Sequence, residues 1–69
     1  MTVLARNLTE LILHSGRTQS DIAKELGVGR ATVSAYANGT RKPTPEMIKK
    51  ICKVMDCTYE DLLGPIEQS

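Results

Sequence analysis

The chain has no tryptophan and no phenylalanine, and only two tyrosines among its 69 residues. A core without large rings has to be assembled from Leu, Ile, Val, Met and Ala, whose spacing here points to an all-α domain. Cysteine is nearly as scarce: Cys52 and Cys57 lie five apart. On a continuous helix that spacing sets them on different faces, and it suits neither a CxxC pair nor a zinc ligand set. Both are read as reduced core or boundary residues of a cytoplasmic protein. The single His14 does not complete a set of metal ligands with them, so neither metal nor cofactor is expected. No basic and apolar leader opens the chain, and no apolar run approaches the length of about 18 residues that a membrane helix needs. No signal peptide and no membrane span are expected.

Excess charge of one sign is also absent, the net charge being +1. That total is small for a nucleic-acid protein, because neutralising phosphates supplies most non-specific affinity. Its distribution is uneven. Residues 17–42 carry five cations against two acids, residues 43–55 three against one, and residues 56–69 four acids and no cation. The basic charge sits in the middle of the chain and the acidic charge at its end.

What is present is a succession of short amphipathic segments with start and stop signals. Leu4, Leu8, Leu11 and Ile12 form one helical stripe, closed at Ser15-Gly16. Thr18 fits an N-cap with Asp21 at the third helical position, starting a helix over 19–26 that buries Ile22, Ala23 and Leu26 and stops at Gly27. A third helix over 30–37 buries Val33 and Tyr36 and ends at Asn38-Gly39. Thr44-Pro45-Glu46 starts a fourth, with Met47, Ile48, Ile51, Val54 and Met55 as its apolar stripe. Thr58 and Asp61 repeat the cap pattern for a fifth helix over 59–63, closed by Gly64-Pro65. Five short helices around one core are expected, with residues 1–64 as one domain and 65–69 as a flexible tail or association segment. Leu62, Leu63 and Ile66 are the apolar candidates for a dimer surface near that end.

Residues 18–43 carry the functional signal. Two short helices hinged at Leu26-Gly27-Val28-Gly29 read as a helix-turn-helix, whose second helix must keep a slim polar face outward to enter a major groove. With Val33 and Tyr36 inward, Arg30, Ala31, Ser34 and Ala35 fall on the far side. The Arg30 guanidinium matches guanine O6 and N7 with two bonds, the methyls of Ala31 and Ala35 suit thymine methyl groups, and Ser34 suits a base edge or a phosphate. Each feature alone has a plainer explanation, since an Arg at a helix start is often simply solvated. Arg17 and Lys24 stand as weaker candidates at the edges of this face, while Lys49, Lys50 and Lys53 read as solubilising charge.

The spacing Gln19…Ala23…Gly27…Val33-Ser34…Tyr36…Asn38-Gly39…Pro43 resembles the phage lambda repressor and Cro-like helix-turn-helix family. The match follows helix order over 1–64 and is specific over 18–43. The resemblance implies that Gln19 contacts phosphate and braces the recognition helix, that Asn38 bonds the DNA backbone, and that Arg41 and Lys42 make phosphate contacts from the following loop. It also puts Arg30 and Ala31 at base-reading positions. Gly29 departs from the Ser or Thr common before the recognition helix, losing a side-chain cap but freeing a backbone N–H to approach a phosphate. Ala37 replaces a frequent Glu.

The expected function is a sequence-specific transcriptional regulator, a phage or bacterial repressor that binds a palindromic operator in double-stranded DNA as a homodimer. The competing expectation is a protein-interaction module, antirepressor-like or an antitoxin, whose helix-turn-helix face docks another regulator. An enzyme is not expected: no Ser/His/Asp set and no glycine-rich phosphate loop is present.

Overall fold

The computed structural model describes residues 3–64. Five helices follow one another: α1 (Val3–Ser15), α2 (Gln19–Leu26), α3 (Arg30–Asn38), α4 (Pro45–Met55) and α5 (Tyr59–Leu63). The architecture is the all-α, five-helix arrangement that the spacing predicts. Helix α3 runs one residue further than the pattern suggests, taking Asn38 into its last turn.

The helix starts follow the local chemistry. Thr18 accepts from the Asp21 N–H at 3.1 Å while the Asp21 carboxylate accepts from the Thr18 N–H at 3.2 Å, the reciprocal capping box that satisfies two otherwise unpaired donors. Thr58 and Asp61 repeat it at α5, and Thr44 caps α4 through the Met47 N–H with Pro45 in the first turn.

Leu8, Ile12, Ile22, Ala23, Leu26, Val33, Tyr36, Ala37, Ile51, Cys52 and Leu62 pack into one buried cluster fed by all five helices. Each fully buried Ile or Leu there contributes about 1.5–3 kcal/mol. Helix α1 is the brace for the rest. The Asn7 amide donates to the Leu62 carbonyl of α5 at 3.0 Å, and the Thr9 hydroxyl lies 2.9 Å from the Ala37 carbonyl of α3. Ala37 is buried against this seam.

Three placements differ from the sequence expectation. Leu62 is fully buried in its own core, so it cannot serve a dimer surface; Leu63, the next residue round α5, is 40% exposed and remains available. Ile66 and the tail segment 65–69 lie outside the described residues. The two cysteines are not on different faces of one helix. Helix α4 stops at Met55, Asp56 takes a left-handed conformation (φ 55°), and the Cys57 N–H returns to the Cys52 carbonyl at 2.9 Å. The turn therefore brings Cys57 back over the last turn of α4, where it packs on the core.

Candidate nucleic-acid interface

Helices α2 and α3 are joined by a turn with almost no freedom. Gly27 sits at φ 79°, its N–H bonded to the Ala23 and Lys24 carbonyls, and the Val28 N–H bonds Ala23 at 3.0 Å. A side chain at that φ is strained, and an added Cβ would meet nothing within 4 Å, so the glycine is required by backbone conformation rather than by space. Ile22, Ala23 and Leu26 of α2 close on Val33, Tyr36 and Ala37 of α3. This packing fixes the angle at which α3 is held out.

The α3 start is bare. Gly29 stands at the N-cap position with no side-chain hydrogen bond, its carbonyl accepting from Thr32 and Val33. The first N–H groups of α3 therefore point outward uncapped, at the positive end of the helix. Arg30 and Ala31 are exposed, whereas Ser34 and Ala35 are half-buried. All four sequence-predicted base readers fall on the solvent side of the helix, with the two at the start the more accessible. Asn38 follows two turns beyond Ala31, on the same side.

The end of α3 is sealed by its own loop. Gly39, Thr40 and Arg41 all turn N–H groups toward the Ala35 carbonyl, and the Asn38 side-chain oxygen accepts from both the Thr40 N–H (3.0 Å) and its hydroxyl (2.7 Å). Asn38 thus has a structural task that sequence spacing does not reveal, and its amide N–H₂ is the part left to face outward. Thr40, missed in the sequence, is what this bond fixes; the Thr two residues after Asn38 is the signal that could have found it. The loop delivers Arg41 and Lys42 exposed beside α3, over a buried Pro43. Gln19 is half-buried at the start of α2.

Arg17 is diverted from this face. One of its nitrogens donates to the Val54 carbonyl of α4 at 2.8 Å and another pairs with Glu25 at 3.1 Å. A guanidinium held by a helix-end carbonyl and a carboxylate ties α2 to α4. Lys24 is exposed and has no ion-pair partner within the described residues.

Among the described residues no helix is long and apolar enough to cross a membrane.

Comparison with known proteins agrees with this geometry. The helix-turn-helix family model matches residues 8–62. The antitoxin PezA of Streptococcus pneumoniae serotype 4 is 31% identical over 62 residues, covering 90% of this chain and 39% of that protein. The uncharacterised HTH-type transcriptional regulator MJ0272 of Methanocaldococcus jannaschii is 40% identical over 45 residues, 65% of this chain and 68% of that one. Among solved structures, a transcriptional regulator from Listeria innocua superposes with a TM-score of 0.84 at 27% identity, over 96% of this chain and 62% of its own. The chain thus spans well under half of PezA and less than two thirds of the Listeria regulator. With the family match running from the middle of α1 to Leu62, the chain belongs to the helix-turn-helix family, in its lambda repressor-like branch.

Proposed function

We propose that this protein is a sequence-specific DNA-binding transcriptional regulator that inserts α3 into the major groove of a palindromic operator, acting as a bacterial or phage repressor. The observation that carries the reading is the α3 start: an uncapped helix N-terminus at Gly29, a slim outward face and a basic loop beside it. Arg30 reads a guanine, Ala31 and Ala35 meet thymine methyls, and Ser34 bonds a base edge or phosphate. Gln19, the Gly29 backbone, Asn38, Arg41 and Lys42 hold the phosphates on either side. One such domain covers only a few base pairs, so two copies bind together. The exposed Leu63 and Tyr59 of α5 offer the apolar surface for pairing.

Titration of a labelled duplex pool at rising salt tests the reading. Affinity should fall steeply with salt and a short palindromic consensus should be enriched by selection. A complex whose mass shows one chain per duplex would overturn the homodimer.

The likeness to an antitoxin over nine tenths of the chain supports a second reading, in which the domain also engages a protein partner. The near-neutral net charge accords with it. Absence of any salt-dependent DNA binding would favour that reading over the first.

A further inference from the structure

The corner after α4 places two thiols together for which DNA binding has no use. Cys52 is buried in the last turn of α4, and Cys57 is half-buried just past it; both are free. The backbone path from one Cα to the other runs through the 2.9 Å bond between the Cys57 N–H and the Cys52 carbonyl. Drawn out straight that path is about 7 Å long. Its bends bring the two Cα atoms into roughly the 4.4–6.8 Å window that disulfides span. Such a helix-ending turn regularly sets these two side chains in contact, and Cys57 here packs against the buried cluster that contains Cys52.

We propose that Cys52 and Cys57 form a dithiol site that low-molecular-weight disulfides oxidise to an intrachain disulfide, pinning the α4–α5 corner. The more accessible Cys57 reacts first. It loses its proton, and its thiolate attacks one sulfur of the reagent, breaking that S–S bond and expelling one thiolate. Cys52 then loses its proton and attacks the Cys57 sulfur of the mixed disulfide, expelling the second thiolate. The protein gives up two electrons and two protons, and one reagent disulfide becomes two thiols. Burial first, then the neighbouring Cys52, then the charges of Asp61 on α5 and Asp56 in the corner raise the Cys57 thiol to about 11. First attack is therefore slow at neutral pH and quickens about tenfold for each pH unit up to that value.

The test incubates the folded chain with excess oxidised glutathione across a pH series and follows intact mass and thiol alkylation. The expected product is a monomer lighter by two hydrogens, closed to alkylation, restored by dithiothreitol and raised in Tm by about 5–10 °C. Cys52→Ala should stop at a glutathione adduct on Cys57. Wild-type protein that stops at the adduct, forms interchain dimers, or closes the disulfide only in denaturant would overturn the proposal. An adduct that forms faster on Cys52 in Cys57→Ala than on Cys57 in Cys52→Ala would overturn the order of attack.

Discussion

Helices α2, α4 and α5 begin alike and α3 begins differently. The first three are closed by threonine side chains, at Thr18, Thr44 and Thr58, two of them with a returning aspartate; α3 opens on Gly29 with nothing over its first N–H groups. A helix that only holds the fold together gains about 1 kcal/mol from such a cap. A helix start without a side-chain cap leaves its first N–H groups available to an anion. Under the proposed function, the contrast separates scaffold from interface within a single small domain.

The comparison can be broken most forcibly from the scaffold side. Ile22→Ala, at a fully buried position in α2, should cost about 2–5 kcal/mol, visible as a large fall in Tm, with DNA binding impaired through unfolding and the loosened seat of α3. Arg30→Ala should leave Tm nearly unchanged while removing about 1–3 kcal/mol of discrimination at one G·C pair, measured as the ratio of affinities for selected and random duplexes. Lys42→Ala should weaken both duplexes alike. Gly29→Asp sharpens the contrast, because an added Cβ there meets nothing within 4 Å: it should stabilise the fold by a few tenths of a kcal/mol and weaken DNA binding about tenfold or more. Thr18→Ala should lower stability by about 1 kcal/mol. The smallest effect concerns acid. The Thr18 backbone N–H, then its hydroxyl, hold the Asp21 carboxyl below the ordinary carboxylate range. Its contribution is full above the unfolded-state value and is lost as pH falls through the lowered one. An NMR titration should therefore place the Asp21 midpoint lower than in Thr18→Ala.

What the sequence disclosed was what is decided within a few residues. The cap patterns at Thr18, Thr44 and Thr58 and the stops at Gly27 and Gly39 are complete in windows of three or four positions, so α2 and α5 fall where their spacing predicts. Arg17 was not legible, because its carbonyl partner lies 37 positions away on α4. The cysteine pair was hidden by Asp56, a non-glycine residue whose left-handed conformation ends the helix early and turns Cys57 back. Leu62 and Leu63 are equally apolar in the sequence, and only the packing of α5 on α1 decides which is buried.

The claim that α3 and its loop form the DNA surface, and α4 with its three lysines does not, is tested most directly by amide chemical-shift mapping during titration with a selected duplex. The account predicts changes concentrated at Gln19, residues 29–35 and residues 38–42, with the amides of Lys49, Lys50 and Lys53 unmoved. Changes centred on those three lysines, with residues 29–35 silent, would contradict it.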